Sequence, residues 1–361
     1  MTSEDKRVSV SRKTLSVVVC NYNHARFLPE ALEAILGQSF RPLEVIVIDD
    51  CSTDDSVAVI ETFMRMDPIV RLYRNERNQG ALVTANRGLE LAAGEYIYWG
   101  AADDRILPGL FEKSMLLLAS YPHAGICSSL LQMIGADGKD RGWIKSPVVS
   151  SVACYLSPER ALATLTQYGF WFTGQTAVYR RDAILADCGG YVPELAHRAD
   201  HFVDMVVALK YGACFMPEVL ATYRILDSGY AETSFDNEEL SRATFAKIVG
   251  LMRSPKYIPI FPEKLVSVFE RRGWYDLEVR TLRRIIRSQM EFIGRLKALR
   301  PEPTLLDRAF LGVLKLQAAL GASVARAYLW HRRINWDLPW LAMKLKAHFS
   351  RHARGVSGNR I

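Results

Sequence analysis

Apolar residues in the first hundred positions fall into two alternating spacings. Leu15–Cys20 (LSVVVC), Leu43–Ile48 (LEVIVI), Val70–Tyr73 and Glu95–Trp99 are short runs rich in β-branched or aromatic side chains, as expected of strands covered on both faces. Between them the spacing becomes helical. Phe27, Leu28, Leu32, Ile35 and Leu36 share one side of a helix over Arg26–Gln38. Val57, Ile60 and Phe63 mark a second helix with Ser52 as its N-cap, and Leu82–Ala93 a third that Gly94 stops. Strand–helix repetition of this kind implies an α/β fold with a mainly parallel, Rossmann-like sheet and right-handed crossovers.

Polar residues interrupt the pattern where the strands end. Asn21, Tyr22 and Asn23 close the first strand, Asp49 and Asp50 the second, and Asp103 and Asp104 the fourth. Ligands of open α/β sheets collect at these carboxyl ends. Any one of these residues alone could be an ordinary turn or cap. From Asp236 strand signals fade. Leu265–Leu299 and Leu305–Trp330 read as helices broken by Pro301 and Pro303, Ile334–His352 as a shorter one, and Gly355–Ile361 as a frayed tail. The expected division is an N-terminal tail (1–13), an α/β domain (14–235) and a basic α-helical accessory region (236–361).

Charge sharpens that division. From Leu240 onward Lys and Arg number 24 against 8 Asp and Glu, while the whole chain carries only +7. The length of 361 residues, with 49% hydrophobic and 24% charged side chains, suits one large core and a smaller companion. The polar N-terminus (MTSEDKRVSVSRKT) does not read as a secretory signal. Lys315 and Arg326 break the best apolar run, Ala309–Trp330, so no membrane span is expected. The six cysteines are scattered without CxxC spacing and read as free thiols of a reducing cytoplasm.

The acidic strand ends suggest chemistry. In Asp49–Asp54 a carboxylate could accept a hydrogen bond from N3–H of uracil or thymine, with Tyr22 stacked on the base. Asp103 and Asp104 could hold Mg²⁺ or Mn²⁺ against a diphosphate, since these cations take oxygen ligands and commonly share them with phosphates.

With these segments in place the chain resembles the inverting GT-A glycosyltransferases of family 2. The matching stretches are VVVCNYN (Val17–Asn23), EVIVIDDCSTDDS (Glu44–Ser56), Arg74–Asp104, GQTAVYRRDAILADCGGY (Gly174–Tyr191) and Arg198–Ile225. The order and spacing of the motifs carry the likeness, which covers roughly Thr14–Ser228. The resemblance implies a GT-A fold and sugar transfer from a nucleoside-diphosphate sugar, UDP- or dTDP-linked, to a hydroxyl of a glycan or lipid-linked acceptor. It implies that Tyr22 and Asp50 bind the base, supported by Asn23, Asp49 and Asn86. Asp103 and Asp104 would serve a divalent cation and the sugar, and Asp200 would be the general base. Three departures stand out: Ala101 where the metal motif usually has Asp, Ala199 where Glu usually precedes the base, and Ile225-Leu226 where a His often follows Tyr-Arg.

Other residues admit two readings. His201 is either an aid to proton transfer or a half-exposed helix residue. Trp171, Phe172, Gly174 and Gln175 are either an acceptor platform or core. Arg74 and Arg77 either approach the nucleotide or are solvated, and Cys20 packs near the base. The basic C-terminal region is either a solvated, dimerising bundle or a peripheral anchor on an anionic inner membrane face, with Trp330, Trp336 and Trp340 among Arg332, Arg333, Lys344, Lys346 and Arg351. No nucleic-acid-binding motif is visible, so nucleic acid is not an expected partner. A non-catalytic sugar-nucleotide-binding or scaffold protein is the rival function, suggested by Ala101 and opposed by Asp200.

Overall fold

In the computed structural model, residues 13–144, 147–226, 229, 233–234 and 237–298 are described, together with 312, 313, 316, 321 and 323. The chain divides into two compact units. The first runs up to Leu165 and resumes over Phe170–Glu232; the second takes Thr166–Gly169 and the chain from Thr233 on. The helices expected over Leu305–Trp330 and Ile334–His352, the Gly355–Ile361 tail and residues 1–12 lie outside the described residues, five isolated positions apart.

The first unit is built on a ten-stranded mixed sheet. Its opening strands are β1 (Leu15–Asn21), β2 (Glu44–Asp49), β3 (Val70–Arg74) and β4 (Tyr96–Ala101). They run parallel in the order β3-β2-β1-β4. Val17, Val18 and Val19 are fully buried, as are Val45, Val47 and Ile48. At about 1.5–3 kcal/mol for each buried aliphatic side chain, this double-sided burial explains why these strands read as continuous apolar runs. Helices α1 (Leu28–Leu36), α2 (Ser56–Met66) and α3 (Ala81–Leu91) connect them. In α1 the buried residues Leu28, Ala31, Leu32 and Ile35 follow the i, i+3, i+4, i+7 stripe. Gly88 in α3 is dictated by close approach: a Cβ there would lie 2.2 Å from Cγ1 of Val18.

The expected cap of α2 moves. Asp54, not Ser52, accepts a hydrogen bond from the Ser56 amide at 3.0 Å. Ser52 instead turns toward the end of β1. All four of Ser52–Asp55 are of cap-competent types, so sequence alone could not choose among them.

Beyond β4 the chain adds β5 (Arg105–Ile106), α4 (Leu110–Ser120), β6 (Ile126–Ile134), β7 (Asp140–Ile144), β8 (Cys154–Leu156), α5 (Pro158–Tyr168), β9 (Val178–Arg180), α6 (Arg181–Asp187), α7 (Ala199–Tyr211) and β10 (Ala213–Arg224). The sheet continues β4-β9-β6-β10-β5, with β9 antiparallel to both its neighbours and β10 parallel to β6. Helix α7 buries Phe202 through Ala208 without interruption, which places it inside the unit.

In the second unit, α8 (Glu238–Met252) and α9 (Glu263–Ala298) are helical. Asn237 caps α8 by accepting from the Leu240 amide at 3.0 Å. Phe245 packs edge-on to Trp274, with ring centroids 5.0 Å apart. Arg253 bonds Glu263 at 2.7 Å and Glu270 at 2.8 Å. Among the described residues no helix is long and apolar enough to cross a membrane.

Candidate active site

The carboxyl ends of β1 and β2 are tied into one rigid corner. Asn21 Nδ2 donates to Asp49 Oδ1 at 2.9 Å and to Ser52 Oγ at 3.1 Å. The Ser52 amide donates to Asp49 Oδ2 at 3.0 Å, and Arg74 Nε lies 3.8 Å from that oxygen. Asn23 receives the Thr53 amide on its Oδ1 at 2.7 Å, while its own amide donates to Ser52 Oγ at 2.9 Å. Asn23 and Cys51 hold φ of 56° and 65°, conformations that Asn tolerates better than most side chains. Asp49 is fully buried, whereas Tyr22 beside it is 43% exposed. An exposed phenol next in the chain to a fixed polar corner is an arrangement that can take a flat base.

Asp50 is committed more deeply than the motif alone suggests. Oδ1 accepts from Asn75 Nδ2 at 2.7 Å and from the Gln79 amide at 2.9 Å; Oδ2 accepts from the Gly80 amide at 2.8 Å. It is the anchor of the loop leading into α3, with one lone pair of Oδ2 left for a ligand. Asn75, which also donates to Thr84 Oγ1 at 3.0 Å, and Arg87, which donates to the Arg74 carbonyl at 2.8 Å, complete that loop. Neither stood out in the sequence. Cys20, half-buried at the end of β1, has its thiol pushed up to about 12 by burial and then by the charge of Asp50.

Asn86 sits on α3 with both ends of its amide occupied. It donates to the Tyr191 carbonyl at 2.9 Å and accepts from the Tyr191 amide at 2.7 Å. A Cβ on Gly190, whose φ is 123°, would lie 2.5 Å from Asn86 Oδ1. Asn86 therefore clamps the Gly-Gly-Tyr loop to α3 and acts on any ligand through that loop.

At the end of β4, Asp103 is half-buried, and its carboxylate makes no hydrogen bond among the described residues. Asp104 is buried, and its Oδ1 accepts from the Arg224 amide at 2.8 Å. Arg224 is the residue the sequence reading left without a role. It is itself buried, donates from Nε to the Asp103 carbonyl at 2.9 Å and pairs with Glu30 of α1 at 2.5 Å. Its guanidinium also lies 4.8 Å from the Phe27 ring. No group of three His, Cys, Asp or Glu side chains forms a ready cation cage among the described residues. One open carboxylate and a second that is partly committed still match the one or two that Mg²⁺ or Mn²⁺ uses beside phosphates. The residues present fit a cation held jointly with a diphosphate.

Asp200 lies in the first turn of α7, half-buried, accepting from the His201 amide at 2.8 Å. A Cβ on Gly174 would stand 3.2 Å from its Oδ2, so Gly174 keeps that face of the carboxylate approachable. The neighbouring Gln175 carbonyl accepts from Tyr98 of β4 at 3.0 Å, and Trp99 of β4 packs 4.7 Å from Tyr191. These contacts bring Asp200 toward the end of β4, where Asp103 lies. Just upstream, Ala196 adopts φ 46°, ψ −130°, a backbone state costing about 1–3 kcal/mol that persists only where surrounding structure holds it. Trp171 and Phe172 are core, 0% and 3% exposed, and cannot be an acceptor platform in this conformation. His201 stacks on Phe170 with centroids 3.9 Å apart.

Known proteins resemble this chain in sequence and in fold. The Glycosyl transferase family 2 model matches residues 16–185. A Campylobacter jejuni protein named GalNAc(5)-diNAcBac-PP-undecaprenol beta-1,3-glucosyltransferase is 34% identical over 102 residues, 28% of this chain and 33% of that protein. Matched stretches span about a third of the length of the first curated relatives. Among solved structures, the mannosyltransferase PcManGT of Pyrobaculum calidifontis, in complex with GDP-Man and Mn²⁺, superposes with a TM-score of 0.55 at 19% identity, covering 94% of this chain and 88% of that one. S. aureus TarS 1-349, in complex with UDP-GlcNAc, gives 0.54 at 16% identity, covering 87% and 91%. At such identities the structural likeness speaks for the fold, which is that of the GT-A enzymes. Over residues 16–185, just under half of its length, this chain is similar to glycosyl transferase family 2.

Proposed function

We propose that the protein is an inverting glycosyltransferase that moves a sugar from a nucleoside-diphosphate donor to an acceptor hydroxyl. What supports the reading is that the ends of β1 and β4 and the first turn of α7 each offer a distinct chemical capacity. Tyr22, next in the chain to Asn21 of the Asn21–Asp49–Ser52 corner, offers an exposed ring, suited to stacking a base. Asp103 offers an open carboxylate at the end of β4. Asp200 offers a half-buried base beside Gly174.

In this reading the base lies on Tyr22, with the remaining Oδ2 lone pair of Asp50 accepting from N3–H of uracil or thymine. Asn23 and Asp49 hold the corner under it. Asp103, assisted by Asp104, would hold a divalent cation, which would supply positive charge to offset that of the leaving diphosphate. Arg224 fixes the Asp103–Asp104 turn from below. Asp200 takes the proton of the acceptor hydroxyl as that oxygen attacks the anomeric carbon opposite the leaving group, and in-line attack inverts configuration. The acceptor is a glycan or polyprenyl-linked saccharide of cell-surface polysaccharide synthesis. A relative named for a PP-undecaprenol-linked substrate supports that class, and the excess of Lys and Arg after Leu240 suits work at an anionic inner membrane face.

A thermal-shift panel tests the donor site, because a ligand that binds the native state raises the melting temperature by mass action. UDP and dTDP should raise it more than ADP at equal concentration. Equal shifts for all three would remove the N3–H reading, and a larger shift with GDP would move the donor to the guanosine class. A second measurement addresses the cation. Asp103→Ala should weaken UDP binding in Mn²⁺ by about tenfold, ~1.4 kcal/mol, and leave binding in EDTA unchanged. Wild-type binding and turnover indifferent to EDTA would eliminate the cation.

A further inference from the structure

One helical turn behind Asp200, on the same face of α7, stands a second carboxyl that the transfer reaction does not use. Asp204 is 0% exposed. Its Oδ1 is 2.6 Å from the hydroxyl of Tyr179 on β9, and its Oδ2 is buried with no hydrogen-bond partner among the described residues. No Lys or Arg among the described residues pairs with it. The groups that face it are Tyr179, Tyr191 from the Gly-Gly-Tyr loop and Asp200 from its own helix, with Cys20 of β1 beyond Tyr191. The one charged neighbour is therefore another carboxylate.

A bare carboxylate in such a place is costly. Burial without a compensating cation disfavours the charged form, and a like charge nearby disfavours it again. A neutral carboxyl, by contrast, can both donate and accept, and the Tyr179 hydroxyl is positioned for either.

We propose that Asp204 is a positioning residue that keeps its proton at neutral pH, so that of the two carboxyls on this face of α7 Asp200 alone carries charge. Tyr179 donates to Asp204 Oδ1, and Tyr191 stands near both Asp204 and Tyr179. Tyr191 is the residue whose backbone Asn86 clamps to α3. The Asp204–Tyr179 bond and the Asn86–Tyr191 clamp thus fix the wall beside Asp200 without placing a competing negative charge there. Burial, and then the charge of Asp200, push Asp204 well above the usual carboxylate range, in agreement with the geometry. Burial pushes Tyr179 upward, and burial followed by the charge of Asp200 pushes Tyr191 upward, so both phenols stay protonated. When Asp200 accepts a proton from the acceptor, both carboxyls are neutral, and the proton leaves to solvent from Asp200.

The inference rests on Asp200 as the base, but its test needs no turnover. A carboxyl that is protonated when folded and ionised when unfolded destabilises the fold increasingly as pH rises above its unfolded value of about 4, until the folded form ionises too. Urea unfolding of wild type and Asp204→Asn from pH 4 to 8 should therefore diverge. The wild-type unfolding constant should rise relative to the variant by up to about tenfold per pH unit. In an Asp200→Asn background the like charge is gone, so the divergence should stop at a lower pH. A pH-independent difference between wild type and Asp204→Asn would overturn the proposal. So would an identical divergence in both backgrounds, because Asp204 would then not answer to Asp200. Should Asp204→Asn fail to fold, infrared spectroscopy of the wild type at pH 7 decides: a protonated-carboxyl stretch that shifts in D₂O is expected, and its absence refutes the neutral state. Where transfer is measurable, the alkaline limb of the pH–rate profile should move in Tyr179→Phe, which removes the hydroxyl facing Asp204. Failure of the transferase reading would leave the unfolding and infrared results standing on their own.

Discussion

Asp200→Asn should reduce sugar transfer by about 10²- to 10⁴-fold, the usual contribution of a general base, with donor affinity within a few-fold of wild type. The substitution keeps size and shape. Asn Oδ1 can still receive the His201 amide that Asp200 receives at 2.8 Å, so the first turn of α7 should remain intact. What Asn cannot do is take a proton. Gly174 matters to the outcome because it leaves Oδ2 approachable, and the amide of Asn would fill the same space without basicity. Turnover per folded molecule, followed by nucleoside diphosphate release, separates this from a structural role. If Asp200 merely caps α7, the Asn variant loses thermal stability and keeps its turnover. A stable, donor-binding Asn variant with undiminished turnover would take Asp200 out of the mechanism. A wild-type protein that binds UDP but transfers to no acceptor and releases none by hydrolysis would instead support the scaffold reading.

The parts of this fold that could be read in advance are those whose physics is local. β1, β2 and β4 are buried on both faces, so their apolar runs are continuous and their ends abrupt, and the polar residues just past them had to lie at the ligand edge. After Asp104 the signals weaken for a physical reason. β5, β8 and β9 are two or three residues long, too short to show a period, and they enter the sheet antiparallel. Trp171 and Phe172 follow Phe170 in an aromatic run. Only tertiary structure shows that Trp171 is stacked 3.8 Å from Phe172 and edge-on to Phe215. Arg224 was visible as half of a Tyr-Arg pair, yet its partners Glu30, Asp103 and Asp104 come from segments more than a hundred residues earlier. The Asp204–Tyr179 contact joins residues 25 positions apart in the chain. An Asp in an otherwise apolar stretch (FVDMVV) was the one hint the sequence held.

The second large effect is one of stability. Read from its motif, Asp50 is a base-reading residue that could be truncated with little harm. Its surroundings say otherwise. Its two oxygens accept from the Asn75 side chain and from the Gln79 and Gly80 amides, and it is 3% exposed. Hydrogen bonds to a charged acceptor are worth about 1.5–3 kcal/mol each, and donors left buried without partners cost more than the bond they lose. The three share one acceptor, so their effects overlap and do not simply add. Asp50→Ala should therefore destabilise the protein by about 3–5 kcal/mol, lowering the melting temperature by on the order of 10 °C. Asp50→Asn should recover only part of this, because its NH₂ would have to face either the Gly80 amide or the two donors at Oδ1. Loss of uridine preference in Asp50→Ala is then two effects together, one on the base and one on the loop entering α3. Asn75→Ala separates them: it removes one donor to Asp50 and leaves the carboxylate in place. It should lower stability by about 1–2 kcal/mol and keep UDP favoured over ADP. An Asp50→Ala protein as stable as wild type would mean the loop is held elsewhere, and Asp50 would then be purely a ligand contact.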